Sequence, residues 1–327
     1  MREDAAARFR CPKTGLPLTL EATSRDGDDV REGALVSADG TRWPVRDSIP
    51  RFVPEDNYAD SFGFQWNRFP GTQLDSVSGL AVSRDRFLAQ WALPPEWFAG
   101  KRILDVGCGA GRFAEVALSL GATVTAVDLS NAVDACWRNL KRNPRLTPAQ
   151  ASIYELPFTK GSFDAVYCFG VLQHTPDVRR SFFALVDMVR PGGELAVDVY
   201  KAGWSAWTYP KQWLRPLTTR VPQRALFDFI ERAAPPLLAV SHVVGKVPVG
   251  GRFLRRLVPV ADYEASLPLS AQQRREWAVL DTFDWLSPRY DQPQTADTLR
   301  AWAHEADLAD VFVHHPAHLS LRARRRE

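Results

Sequence analysis

The chain has 327 residues, of which 45% are hydrophobic and 24% charged, and its 41 basic and 38 acidic side chains leave a formal net charge of +3. That composition excludes whole-chain disorder and fibrous structure, and the length suits one large domain with additions or two domains. No run of about 18 apolar residues and no apolar stretch after Met1-Arg2-Glu3-Asp4 occur, so neither a membrane span nor a secretory signal is expected. Cys11, Cys108, Cys136 and Cys168 are widely spaced without any C-x-x-C pairing, which fits a reducing cytoplasm better than a disulfide or zinc framework.

Residues 1–55 read as a small β unit. Its short strands are expected at Leu16–Leu20, Gly33–Ser37 and Thr41–Val45, with a hairpin at Ala38-Asp39-Gly40. Residues 58–73 are rich in aromatics (Tyr58, Phe62, Phe64, Trp66, Phe69), as a segment packing on something larger would be. A helix is expected from about residue 84 to Pro94-Pro95, and strands then alternate with helices. Arg102–Val106 is a strand, Phe113–Leu120 a helix ended by Gly121, and Thr123–Val127 the next strand. Ser130 can cap a helix running to about Arg142, Phe163–Cys168 is a further strand, 177–189 a helix and Glu194–Tyr200 a strand. Residues 201–290 break this rhythm as a Pro- and Trp-rich insertion. A helix at 295–306 and strands at Val311–Val313 and Leu319–Leu321 restore it, and Arg322–Arg326 reads as a frayed basic tail. The alternation implies an α/β fold with a doubly wound, mostly parallel sheet.

The sharpest motif is Leu104-Asp105-Val106-Gly107-Cys108-Gly109-Ala110-Gly111-Arg112, between a strand and a helix. Its glycines allow a tight turn and close approach of a ligand. The spacing is G-x-G-x-G, not the dinucleotide G-x-G-x-x-G, and no Gly-Lys-Ser/Thr follows. Asp105 places a negative charge where a pyrophosphate would sit, which favours a ligand carrying positive charge. Asp128, ending the next strand, can accept hydrogen bonds from both hydroxyls of a ribose.

From Arg102 to about Tyr200 these residues resemble the class I S-adenosylmethionine-dependent methyltransferases, in particular the small-molecule type 11 branch. The resemblance rests on the glycine motif, Val127-Asp128-Leu129-Ser130, Glu155-Leu156-Pro157-Phe158 with Ser162–Val166, and Val171–Asp177 followed by Arg190-Pro191-Gly192-Gly193. It implies a seven-stranded sheet, S-adenosyl-L-methionine as cofactor, and a role for each matching residue. Asp105 and the backbone of Gly107, Cys108 and Gly109, within the loop closed by Gly111, face the methionine part. Asp128 holds the ribose with Leu129 against the adenine. Ser152, standing where many relatives carry Asp, and Ile153 line the adenine pocket, and Gly170 and Val171 pass close to the sulfonium. The N-terminal unit is similar to the Trm112-like domain through Cys11–Leu18 and Trp43–Phe52. With Cys11 as its one cysteine it is expected to be a metal-free scaffold.

The chemistry asks mainly that an acceptor be held in line with the sulfur–methyl bond. His174 is the candidate general base, since an ordinary imidazole pKa suits neutral pH. Arg68 or Arg112 can meet the cofactor's carboxylate. The stretch Asp281–Asp291 mixes aromatics with hydrogen-bonding groups as a substrate wall would, and Arg289 and Tyr290 within it, with Tyr200 at the end of the fifth strand, are the candidate substrate contacts. His314-His315 is not expected to bind metal, because adjacent strand residues face opposite ways. Residues 201–256 hold ten basic against two acidic side chains, a balance of +8, while 31 basic and 36 acidic residues elsewhere give −5. A basic, apolar insertion points to an anionic or hydrophobic acceptor, or to peripheral contact with a membrane surface, and not to nucleic acid.

The chain is thus expected to be a cytoplasmic methyltransferase with the β unit at 1–55, the core at 56–200 and 291–327, and a mostly helical substrate lid at 201–290. It is expected to methylate an oxygen of a secondary metabolite, glycan or lipid-linked intermediate. Methylation at nitrogen or carbon, or cofactor binding without turnover, remain alternatives.

Overall fold

The computed structural model describes all residues except 55, 56, 142, 204–208, 265 and 317. The expected boundary between residues 55 and 56 and the helix end expected at Arg142 therefore lie outside the described residues.

After a short helix, α1 (Glu3–Ala6), the chain forms an antiparallel sheet of β1 (Leu18–Asp26), β2 (Asp29–Ser37), β3 (Arg42–Arg46) and β4 (Ile49–Pro50). The turn at Gly40 is the one the sequence signals, with φ at 84°. The first strand is longer than expected because Asp26-Gly27-Asp28 makes a second hairpin, with Gly27 at φ 59°. This unit is part of the main body: Phe9, Leu35, Val45 and Phe52 share one core with Val127, Ala149 and Phe158. The Phe52 N–H donates to the Gln150 carbonyl at 2.8 Å, and Arg51 pairs with Asp134 at 2.5 Å.

Three helices lead into the large sheet: α2 (Asp60–Arg68), α3 (Asp75–Ser78) and α4 (Val82–Trp91). The sheet alternates with helices as β5 (Arg102–Val106), α5 (Arg112–Ser119), β6 (Thr123–Asp128), α6 (Ala132–Leu140), β7 (Leu146–Gln150), β8 (Phe163–Cys168), α7 (Val178–Met188) and β9 (Val189–Val199). An insertion follows, made of α8 (Lys211–Thr218), α9 (Gln223–Gly245), α10 (Gly251–Arg256) and α11 (Ala271–Leu286). The helix α12 (Ala296–Glu305) and strands β10 (Leu308–His314) and β11 (Leu319–Arg325) complete the chain. The seven strands lie in the order β10-β11-β9-β8-β5-β6-β7, and only β11 runs against its neighbours. The fold is the expected doubly wound α/β sheet with its helical insertion after the fifth strand. Leu104, Val124, Val127 and Val166 are fully buried, as central parallel strands covered on both faces require.

Strand β7, not expected from the sequence, carries Pro148 and is the sheet's edge strand, where a missing N–H is tolerated. Two local expectations are corrected. By backbone geometry the N-cap of α6 is Asn131, one residue after Ser130, yet the Ser130 hydroxyl accepts from the Ala132 N–H at 3.2 Å while donating to Asp128 at 2.7 Å, so it still satisfies the first N–H of the helix. The basic C-terminus is no frayed tail: Arg322, Arg324 and Arg325 sit in β11 between β9 and β10, and the Arg325 guanidinium donates to the Val189 carbonyl at 2.7 Å. Paired acids (Glu194 with Arg322, Asp310 with Arg324, Asp307 with Arg326) neutralise that run.

The insertion is more helical than its prolines suggest. Helix α9 runs 23 residues straight through Pro235-Pro236. An internal proline costs about 3 kcal/mol, but burial of Leu226, Phe227, Ile230 and Leu238 against α11 offsets it at about 1.5–3 kcal/mol per side chain.

Candidate active site

The strand order reverses between β5 and β8, and in such sheets the crevice beyond the strands' carboxyl ends is where ligands bind. A cavity of about 360 Å³ opens there. Its floor comes from the residues just after five successive strands: Val106–Ala110, Val127–Leu129, Ala151 and Ile153, Phe169–Val171 with His174, and Tyr200. Tyr58 and α2 cover one side, and α11 closes the other through Trp277, Asp281, Asp284 and Trp285.

The glycine loop has the shape its spacing implies. Gly107 has φ 83°, and a Cβ there would lie 2.3 Å from Val171. Gly109 has φ 52° and lies directly under Trp66, whose Nε1 would be 3.1 Å from a Cβ. Gly111 serves packing instead: it precedes α5 with φ 91°, and a Cβ would meet Cys136 Sγ at 2.9 Å. Asp128 is buried, and burial pushes its carboxyl pKa up. Its Oδ2 accepts from the Gly109 N–H at 2.9 Å, and its Oδ1 from the Ser130 N–H and hydroxyl. Loop and acid are therefore one hydrogen-bonded unit.

Of the residues singled out in the sequence, Gly107, Cys108, Gly109, Asp128, Leu129, Ile153, Gly170, Val171, His174 and Tyr200 line this one cavity. Five do not. Asp105 points to the strand face opposite Val106, beneath the loop, because neighbouring strand residues alternate. Gly111 lies behind the loop. Ser152 turns its hydroxyl to the Tyr154 N–H at 3.2 Å. Arg289 is exposed and lies over the Tyr290 ring, and Tyr290 stands behind the wall, its carbonyl accepting from His174 and its ring packed edge-on against Tyr58 at 5.6 Å. Of the two arginines offered for the cofactor's carboxylate, Arg112 is on the wall, while Arg68 faces outward to Glu231 at 3.9 Å.

Residues 104–197 match the family model described as "Methyltransferase domain". The Ubiquinone biosynthesis O-methyltransferase of Xanthomonas campestris strain B100 is 38% identical over 150 residues, covering 39% of this chain and 61% of that protein. The mitochondrial enzyme of the same name from Schizosaccharomyces pombe is 38% identical over 108 residues, covering 31% and 38%. Among solved structures, human N-acetylserotonin methyltransferase in complex with SAM superposes with a TM-score of 0.47 at 13% identity, covering 84% of this chain and 61% of that one. The chain thus spans 38% and 61% of the length of these two curated relatives.

Residues 104–197 thus match a methyltransferase domain, and the cavity fits S-adenosyl-L-methionine. The loop is free of Cβ atoms at Gly107 and Gly109, Asp128 stands beside it, and the buried Gln65 amide lines the cavity with neither polar atom paired among the described residues. Trp66 and Gln65, both on α2, lie outside the matched segment.

The end of the cavity away from the glycine loop is built by the insertion, Tyr200 and His318, which lies between β10 and β11. Tyr200 OH donates to Asp284 Oδ2 at 3.4 Å, and Tyr263 OH donates to Asp281 Oδ2. Arg112 lies beside Arg86, and burial lowers its pKa to about 10. Arg86 in turn donates to Asp198 at 2.9 Å. Burial, reinforced by the neighbouring Asp281, raises the Asp284 carboxyl to about 7. His174 departs from the expected near-neutral pKa: its burial lowers it to about 4. Its Nδ1–H donates to the Tyr290 carbonyl at 2.9 Å, which leaves Nε2 as an unpaired acceptor. His318, tilted against Tyr200 at 5.5 Å, is a further wall residue that sequence spacing did not single out.

Asp105 has a different consequence. It lies near the Tyr167 hydroxyl without a hydrogen bond of ordinary geometry, and burial raises its pKa to about 8. The folded chain thus holds a proton that the unfolded chain releases near pH 4, so stability falls as pH rises from 4 through 8. Thermal melts at pH 5 and pH 8 are expected to differ less for Asp105→Asn than for the native chain. An unchanged difference refutes the assignment.

Proposed function

We propose that the chain transfers the methyl group of S-adenosyl-L-methionine to an oxygen of a small, largely apolar acceptor. The observation that carries this reading is the Asp284 carboxyl, held near pKa 7 in the cavity's aromatic end. A hydroxyl acceptor gains from a base matched to neutral pH, whereas a free amine needs none. The curated relatives named O-methyltransferases support the same acceptor atom. Walls of Tyr58, Phe62, Tyr200, Tyr263, Trp277 and Trp285 suit a hydroxylated ring or a lipid-linked intermediate better than a glycan. The relatives' own substrate is not carried over, since the lid supplying this wall lies outside the matched segment.

When bound, the cofactor supplies an electrophilic methyl group. The chain's residues do the rest. Gly107–Gly109, Asp128 and Leu129 hold the nucleoside and methionine parts, and α2 excludes water from above. Neutral His174 accepts at Nε2 a hydrogen bond from a second polar group of the acceptor and so orients it, which leaves the reacting hydroxyl's proton directed to Asp284. Asp284 takes the hydroxyl proton as the oxygen attacks, and Tyr200 OH supports the carboxylate before that transfer. Two oriented groups in a closed cavity raise the rate mainly by fixing an in-line approach.

The test is incubation of the full chain with methyl-labelled cofactor and a panel of phenols, alcohols and amines. Label in a phenol or alcohol is expected. Label in amines alone removes the oxygen assignment, and a chain that binds S-adenosylhomocysteine yet labels nothing is a binding protein.

A further inference from the structure

Helix α9 has two apolar faces, and only one is used inside the molecule. Leu226, Phe227, Ile230, Ala234 and Leu238 are buried against α11. On the opposite side Phe229, Pro236, Val240 and Val243 recur at helical spacing and face solvent, and Val247, just past the helix end, is exposed as well. Phe229 and Val243 are each about two-thirds exposed (67% and 66%). The apolar surface continues into Val249, which is 88% exposed, and into Phe253 and Leu254 of α10. A helix apolar on both faces is ordinarily covered on both.

The charge around this stripe says what covers it. Arg224, Arg232 and Arg252 on these helices, Lys246 at the end of α9 and Arg220 just before its start are exposed and have no ion-pair partner among the described residues. One of the two acids of residues 201–256, Glu231, is already paired with Arg68. A second copy docking through this face would set one surface of exposed cations, Arg224, Arg232, Lys246 and Arg252, against another, which repulsion opposes. Nucleic acid would meet the cations but leave the aliphatic stripe in water. We infer that the outer face of α9 and α10 docks on an anionic lipid surface, with the stripe at the headgroup boundary and the cations among the headgroups. No described helix is long and apolar enough to cross a membrane, so the contact is peripheral. The inner side of α9 packs on α11, which walls the acceptor end of the cavity, so docking sets the lipid surface two helix layers from the site. The inference is independent of the proposed reaction and is read without turnover.

Flotation of the full chain with phosphatidylcholine vesicles, with and without about a third phosphatidylglycerol, tests it. Recovery is expected with the anionic vesicles only, and raising the salt is expected to reduce it. Arg224→Glu/Arg232→Glu/Lys246→Glu is expected to weaken binding on the order of a hundredfold, at roughly fivefold per cation. Val240→Asp/Val243→Asp is expected to weaken it at least about tenfold. These side chains face solvent; should either variant melt early by circular dichroism, Arg→Gln and Val→Ser versions replace it. No recovery with anionic vesicles, equal recovery with neutral ones, or binding unaltered by both variants overturns the inference. So does a dimer in sedimentation that Val240→Asp/Val243→Asp abolishes, or salt-sensitive nucleic-acid binding without flotation.

Discussion

Asp128→Ala is expected to weaken S-adenosylhomocysteine binding at least about a hundredfold by titration calorimetry. Two ribose hydroxyls donating to a buried carboxylate contribute about 1.5–3 kcal/mol each, and the smaller figure already gives that factor. The substitution also frees the Gly109 and Ser130 N–H groups that the carboxylate now accepts. Asp128→Asn separates the two effects, because an amide oxygen can still accept from Gly109 while the charge is gone. It is expected to fall between alanine and the native chain. Native affinity in the alanine variant would show that the acid shapes the loop without holding the cofactor.

Asp284→Asn is expected to lower kcat by about a hundred- to ten-thousandfold, the usual range for removing a general base. The pH dependence identifies the group. A base acts deprotonated, so kcat/KM of the native chain should rise as pH passes through about 7, where Asp284 ionises. His174, at about 4, is already neutral by pH 6 and cannot produce that rise. His174→Ala is expected to cost about tenfold while keeping the limb near pH 7, as loss of one orienting hydrogen bond would. Asp284→Asn that retains the limb refutes its role, and loss of the limb in His174→Ala moves the base to the histidine.

The sequence shows the cofactor half of the site because its constraints are local. The glycine spacing, the acid ending β6 and the alternation of strands with helices each span few residues, and the structure brings Gly107, Gly109, Asp128 and Val171 to one cavity. Errors there concern direction. Asp105 and Ser152 sit at the right height but turn away, which strand pleat and a local serine turn decide. The acceptor half was read less well. Arg289 and Tyr290 stood out as polar and aromatic, yet Arg289 is exposed, whereas Asp281 and Asp284, on the same stretch, face the cavity. A helical reading of α11 would have helped, since Trp277, Asp281 and Asp284 recur at four and three residues.

By itself, the sequence determined the α/β sheet, the glycine loop with its acid, and the concentration of positive charge in the insertion, because these depend on residue type and near-neighbour spacing. Tertiary structure alone decided which carboxyl lies in the aromatic end and which imidazole loses its basicity, because a pKa is set by burial and neighbours distant in the chain. It also decided that one face of α9 is left uncovered, since the same apolar periodicity describes a buried stripe and an exposed one until the partner helix is in place.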